Sequence, residues 1–213
     1  MLTFKNTEVM NITAAIRGMR NPLNSWDKSD SDFGVDPAYF GHYGEYIGPN
    51  DLALAQKLIK AGSDHRKFMR QIFVSVDITA PFYWWKEFDT YKVGTVANSC
   101  STMHTIHTKE IKLADFSWER LDESGIRLLE ATIDYLNGRR KLYLDTTSKK
   151  YWYQMIQALP TSYNQMRTVT LNYENLRNIY QSRRNHKLYE WSFDFMRWID
   201  SLPYAEELIK YDG

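Results

Sequence analysis

The sequence predicts a mixed helix-and-strand domain of the α+β class. Three observations lead there. One segment, Ile72 to Thr79, alternates apolar and polar residues with the period of a half-buried strand. A second, around Arg167, Val169 and Leu171, alternates in the same way with threonines. The remaining apolar residues recur mostly at helical spacing, in separate runs closed by Gly or Pro.

The elements follow in chain order. Residues 1–50 form an irregular N-terminal segment. Within it, Asn21-Pro22, Gly34, Asp36-Pro37, Gly41, Gly44 and Gly48-Pro49 punctuate a polar, aromatic-rich stretch that reads as a long loop. A core of residues 51–203 follows. Asp51 starts a helix that buries Leu52, Ala55, Leu58 and Ile59 and stops at Gly62. The strand Ile72–Ile78 ends at Ala80-Pro81, and Phe82 to Tyr91 reads as a helix. Ile126, Leu129, Ile133 and Leu136 define a further helix, closed at Gly138. Ser148 to Ala158 is helical up to Leu159-Pro160. After the second strand come helices from Glu174 to about Arg184 and from His186 to Ser201, the latter striped with Leu188, Trp191, Phe195 and Trp198 and broken by Pro203. No repeat, low-complexity tract or linker divides the chain, so 1–213 is expected to be one domain.

Composition narrows the function classes. The chain has 213 residues, 43% hydrophobic and 25% charged, enough to bury a core without covalent staples. A net charge of +1 supplies no global basic field, which disfavours a nucleic-acid module built from the many Tyr and Trp and the short basic runs. The single cysteine, Cys100, allows no intrachain disulfide and suits a reducing, cytoplasmic setting. Met1 to Arg20 lacks the apolar run of a signal peptide, and no stretch approaches the length of a membrane span.

Motifs for common chemistries are missing. There is no GxSxG, Walker A loop or GxGxxG. His104 and His107 would share one face of a helix, but no HExxH accompanies them and no third ligand is fixed by spacing, so no metal is expected. Asp27, Asp30, Asp32 and Asp36 lack the spacing of a calcium loop and read as a solvated loop. Cys100 has no base fixed beside it and reads as a small buried or pocket-wall residue. One helix face is more suggestive: Arg177, Gln181 and Arg184 fall at i, i+4 and i+7, with Asn175 near the helix start. Forked donors and an amide suit a phosphate and a ring edge. The same face also suits solvent, with ion pairs to Glu174 or Asp194.

These segments, in this order, resemble the flavin-dependent thymidylate synthases. That family has a helix ending in Gly, a strand, and a helix leading into the motif R-H-R-x-x-S-x-N-E-x-S-x-R. Later come a helix ending in Leu-Pro, a strand, and N-x-R at a helix start. Here the first block is Leu58 to Gly62, Phe68 to Ile78 and Ala80 to Glu87. Thr90 to Thr102 aligns with the motif, and the late block is Leu159-Pro160, Thr168 to Leu171 and Asn175-Leu176-Arg177.

Within the motif, Thr90 and Thr102 replace the outer arginines, Tyr91 the His, Lys92 the second Arg, Ala97-Asn98 the Asn-Glu, and Thr95 and Cys100 the serines. Glu87 replaces the preceding Gln, and the arginine before Leu-Pro aligns near Ile156. Each bidentate arginine lost removes a contact worth about 1.5–3 kcal/mol.

The resemblance implies a small, mainly antiparallel sheet flanked by helices, a homotetramer, and FAD, with NADPH and methylene-tetrahydrofolate as further candidate cofactors. It implies reductive methylation of deoxyuridine monophosphate or a related pyrimidine nucleotide, with no protein nucleophile and hence no assigned catalytic residue. Tyr91, Lys92, Asn98, Asn175, Arg177 and Gln181 become the flavin-binding candidates. Glu87, Cys100, Ser101, Arg183 and Arg184 become the nucleotide-binding candidates. The substituted motif keeps a second reading open, a nucleotide-binding or sequestering protein without synthase activity.

Overall fold

The computed structural model describes residues 1–32 and 46–212. The sequence-predicted loop positions Gly34, Asp36-Pro37, Gly41 and Gly44 lie outside the described residues. Four strands form one small antiparallel sheet in the order β1-β2-β4-β3: β1 is Thr3–Met10, β2 Phe73–Pro81, β3 Val96–Ser99 and β4 Asn164–Asn172. The helices are α1 Ile12–Met19, α2 Pro49–Lys60, α3 Phe82–Phe88, α4 Thr102–Thr105, α5 Glu123–Thr146, α6 Lys149–Ala158, α7 Tyr173–Arg183 and α8 Met196–Asp200. The expected α+β class, with a small antiparallel sheet and accompanying helices, is the observed one.

Two compact units are distinguished. The first comprises Met1–Lys5, Asp77–Thr90 and Ala97–Thr168. Its core is built where α5 packs on α6. Leu129, Ile133 and Leu136, at i, i+4 and i+7, turn one stripe of α5 towards Met155 of α6, and Ile106, Ile111 and Phe116 complete the cluster. The side chain of Asp122 caps α5, accepting from the Gly125 amide at 2.8 Å. That bond, reinforced by the Ser124 hydroxyl, holds the Asp122 carboxyl below its ordinary pKa.

The helix does not close at Gly138, as the sequence suggests. It continues to Thr146, and Thr147 ends it in a left-handed conformation at φ 57°. The hydrophobic stripe and the fit against α6 outweigh the modest helix cost of one glycine.

The second unit comprises Asn6–Val76, Tyr91–Val96 and Val169–Gly213. Ile12 and Ile16 of α1, Ala55 and Ile59 of α2, and Trp191 and Phe195 are fully buried there. At its N-terminal end lies a buried ion pair, Arg20 Nε to Asp51 Oδ1 at 2.5 Å. The other Asp51 oxygen accepts from the hydroxyls of Ser29, at 2.7 Å, and Ser31. Burial alone would raise the Asp51 pKa, but the bonds from Ser29, Ser31 and Arg20 outweigh it and hold the carboxyl ionised below its ordinary range. Asp30 is not merely solvated: its carboxylate caps α2, accepting from the amides of Asn50 at 2.8 Å and Asp51 at 3.1 Å. Asp36 of the same acidic cluster lies outside the described residues.

Other boundaries moved. The helix expected over Phe82–Tyr91 ends at Phe88. The expected His186–Ser201 helix is a π-helical turn, Glu190–Phe195, followed by α8. The N-terminal segment expected to be irregular holds strand β1 and helix α1, the latter burying Ile12, Ala15, Ile16 and Met19 at helical spacing; strands β1 and β3 carry no such pattern. β1 is polar and largely exposed, and all four residues of β3 are exposed, so neither shows a core-facing period. Among the described residues, no helix is long and apolar enough to cross a membrane.

Two outcomes follow. A Cβ at Gly138 would meet nothing within 4 Å, so Gly138→Ala should stabilise the chain by about 0.5–1 kcal/mol, read as a rise in thermal midpoint of about 1–4 °C. Asp51→Asn leaves Arg20 buried without its counter-charge and should cost about 3–5 kcal/mol in urea unfolding. Because the Asp51 pKa is depressed on folding, its contribution is complete above the ordinary carboxylate range and fades as pH falls through the folded value. The gap between wild type and Asp51→Asn should therefore narrow in acid.

Candidate functional site

The first unit holds a cleft of about 500 Å³ whose lining includes Phe82, Ser101, Thr102, Ile156, Gln165 and Arg167. Its floor is set by the end of β3 and the start of β4. The Cys100 amide donates to Met166 O at 3.0 Å, and Gln165 Nε2 donates to Cys100 O at 2.8 Å and to Thr102 Oγ1 at 3.3 Å. Ser101 accepts from the His104 amide and so starts α4.

Arg167 is the most constrained cation of this cleft. Its guanidinium lies 4.2 Å from the Trp85 ring centroid, its Nε donates to Gln165 Oε1 at 3.0 Å, and one Nη donates to Asp89 at 2.8 Å. Trp85 is itself fixed, its Nε1 donating to Gln165 O at 2.9 Å. The Arg167 side chain is 16% exposed. Its other Nη has no hydrogen-bond partner among the described residues, so the cleft has a preset forked donor with one tine available.

Sequence reasoning placed Arg167 only as a strand residue. The available signal was the position itself: Arg167 falls on the same face of β4 as the buried Val169 and Leu171, where a charged residue needs partners. Among the sequence-predicted residues of this unit, Ser101 lines the cleft and Cys100 borders it through its backbone. Cys100 and Asn98 are exposed, and Glu87 is half-buried on α3.

In the second unit, Tyr91, Lys92, Asn175, Arg177, Gln181, Arg183 and Arg184 are placed by α7 and by the segment Tyr91–Val96. Asn175 forms a reciprocal cap with Asn172: its amide donates to Asn172 Oδ1 at 2.9 Å, and its Oδ1 accepts from the Asn172 amide at 3.3 Å. Its Nδ2 donates to Val93 O at 2.7 Å. Gly94, at φ +75°, lets the chain pass close; a Cβ there would lie 2.9 Å from Asn172 Nδ2 and 3.0 Å from Asn175 Oδ1.

Arg177 is buried, and one Nη donates to the backbone carbonyls of Ile209, at 3.1 Å, and Tyr211. Burial lowers its pKa, with Arg66 adding repulsion. Gln181 and Arg184 both reach Asp212, Arg184 at 2.8 Å. The Arg184 bond comes first among the causes that hold the Asp212 carboxyl below its ordinary pKa. The face Arg177–Gln181–Arg184 thus meets the chain's own C-terminal segment. Glu174 pairs with Arg66 at 3.0 Å and with Arg70.

Arg183 Nε donates to the Tyr91 hydroxyl at 2.8 Å, and its guanidinium sits 5.1 Å from the Trp191 centroid. Lys92 is exposed, and its ammonium has no hydrogen bond or ion pair among the described residues. No group of three His, Cys, Asp or Glu residues among the described residues is placed to hold a metal ion.

The fold is that of the flavin-dependent thymidylate synthases. Thymidylate synthase X from Helicobacter pylori, solved with FAD and dUMP, superposes with a TM-score of 0.69 over 100% of this chain and 99% of its own, at 17% identity. The UMP/dUMP methylase PolB from Streptomyces cacaoi, solved with 5-Br dUMP, superposes with a TM-score of 0.66 over 99% of this chain and 95% of its own, at 13% identity. The sequence matches no protein-family model and no curated protein. The likeness is thus one of fold, at low sequence identity.

Gly94→Ala forces a Cβ into the Asn172–Asn175 cap at a left-handed backbone position. It should lower stability by at least about 1–2 kcal/mol and speed amide exchange across residues 91–96; unchanged exchange there would show that the cap does not hold this segment.

Proposed function

We propose that this chain is a flavin-dependent nucleotide enzyme that reductively methylates deoxyuridine monophosphate or a related pyrimidine nucleotide. The observation that carries the reading is a whole-length fold likeness to nucleotide-methylating enzymes, joined to a cleft within the small-molecule size range that holds a preset arginine. Activity resides in the residues of the site rather than in the fold.

In this reading the pyrimidine nucleotide lies in the Arg167 cleft. Arg167 supplies the forked donor to the phosphate or a ring carbonyl, and Gln165, Ser101 and Thr102 supply neutral polar contacts. Cys100 and Glu87 flank that nucleotide. Ile156 stands where the family carries an arginine, and Arg167 restores a cation to the same cleft from a different element. Flavin when bound would supply hydride, and methylene-tetrahydrofolate the carbon, with NADPH as the reductant. The chain's own work is to bind, orient and polarise the pyrimidine.

For the flavin, the exposed Lys92 ammonium suits a phosphate, beside Tyr91, with Arg183 and Arg184 as further cations on α7 of the same unit; Asn98, in the first unit, is a flavin candidate by the family resemblance alone. Asn175, Arg177 and Gln181 support this arrangement from behind, since their side chains are engaged within the chain. The proposal includes a homotetramer in the cytoplasm.

A second reading is favoured by one observation. The donors of Arg177 and Arg184 already meet carbonyls and Asp212, which would suit a diverged protein that binds or sequesters nucleotides without turnover.

The deciding experiment begins with the absorbance spectrum of the protein after adding FAD and desalting, then titrates deoxyuridine monophosphate calorimetrically. The enzyme reading expects retained flavin and turnover to thymidine monophosphate. Nucleotide binding without flavin or turnover selects the second reading. In either case Arg167→Gln should weaken nucleotide binding at least tenfold, matching about 1.5–3 kcal/mol for a bond to a charged group. Equal affinity in the variant would remove the nucleotide from this cleft.

A further inference from the structure

The first unit has a second concavity, of about 360 Å³, beside the Arg167 cleft and sharing Met103 with it. Its other walls are His104, His107, Tyr143, Lys149, Trp152 and Tyr153. Three features set it apart. All its ionisable side chains are bases or phenols, with no carboxylate in the lining. Neither imidazole nor the Lys149 ammonium has a side-chain hydrogen-bond partner among the described residues, and His107 Nδ1 is buried without one. The aromatic walls are held in place: Trp152 Nε1 donates to Met103 O at 3.1 Å, Trp152 meets Tyr153 edge-on at 5.0 Å, and His107 meets Tyr143 edge-on at 5.0 Å.

Two imidazoles without a third ligand do not make a metal site. Two imidazoles, an ammonium and aromatic edges do make a site for an anion attached to a ring. Arg140 adds positive charge behind it, its Nε donating to the His107 carbonyl at 2.9 Å. Lys149 stands in the first turn of α6, where the helix dipole also favours an anion. The volume lies within the roughly 300–1,000 Å³ of small-molecule sites.

We propose that this concavity binds an aromatic phosphate ester of the nucleotide class, its phosphate on His104, His107 and Lys149 and its ring against Trp152 and Tyr153. It is a site additional to the Arg167 cleft and does not depend on the function proposed for that cleft. Stacking on Trp and Tyr tolerates any base, so the phosphate and a planar ring define the ligand.

The test uses adenosine 5′-diphosphate as probe on the full chain, saturated with FAD where FAD is retained, and reads the imidazole signals of His104 and His107 by NMR. Adenosine 5′-diphosphate should shift both signals, and adenosine and inorganic pyrophosphate should each bind at least tenfold more weakly. Lys149→Gln and His104→Gln, both at exposed positions, should each weaken binding at least fivefold. Arg167→Gln should leave it unchanged, which separates this site from the neighbouring cleft. The proposal is overturned if neither imidazole responds at millimolar probe. It is overturned equally if the substitutions leave affinity intact, or if the response vanishes when FAD is present.

Discussion

The arrangement of the second unit depends on one exchange of hydrogen bonds, between Asn172 and Asn175. Each side chain accepts from the other's backbone amide, which closes the first turn of α7 as β4 ends. The remaining Asn175 donor is then aimed at Val93 O, and Gly94 passes so close that a Cβ there would crowd both asparagine side chains. One small constraint thereby sets two things. It fixes where α7 begins, and with it the rotation of Arg177, Gln181, Arg183 and Arg184 about the helix axis. It also fixes the segment carrying Tyr91 and Lys92. An aspartate at 175 could accept but not donate, and a serine could not reach both partners, so the amide is required by geometry.

Much of the fold was legible because its long elements carry strong periods. The β2 alternation and the α5 stripe are core-facing patterns that survive any tertiary arrangement. What stayed hidden was hidden for physical reasons. β3 has no buried face, so its sequence carries no alternation to read. Gly138 looked like a stop because a glycine after an apolar run commonly is one, yet α6 continues to cover α5 beyond it. The π-helical turn at Glu190–Phe195 holds the Trp191 and Phe195 stripe at a spacing that reads as ordinary helix.

Of the residues at the Arg167 cleft, Ser101 and Cys100 were singled out in the sequence, because the motif alignment passes through them. Arg167 was not, because its importance comes from Trp85, Asp89 and Gln165, residues two or more positions away in the chain and most of them from another element. A strand arginine is unremarkable in sequence until its neighbours immobilise it. The α7 face illustrates the converse. Spacing alone correctly showed that Arg177, Gln181 and Arg184 share a face, but spacing cannot show that residues 209–212 of the same chain lie against it.

That last contact bears on how an anion could be held in each unit. Moving Arg177 onto a phosphate would strip two backbone carbonyls of their donor, at about 1–3 kcal/mol for each group left buried and unpaired. Moving Arg184 would release the Asp212 carboxylate, a smaller cost because that pair is exposed. Arg167 faces neither penalty. Its anchors occupy Nε and one Nη, and the residue lines the cleft with the other Nη making no bond among the described residues that would have to be broken. A preorganised donor that gives up nothing on binding contributes its full contact energy to affinity. On energetic grounds, then, Arg167 of β4 is better prepared to take an anion than the arginines of α7, whose bonds hold the chain together.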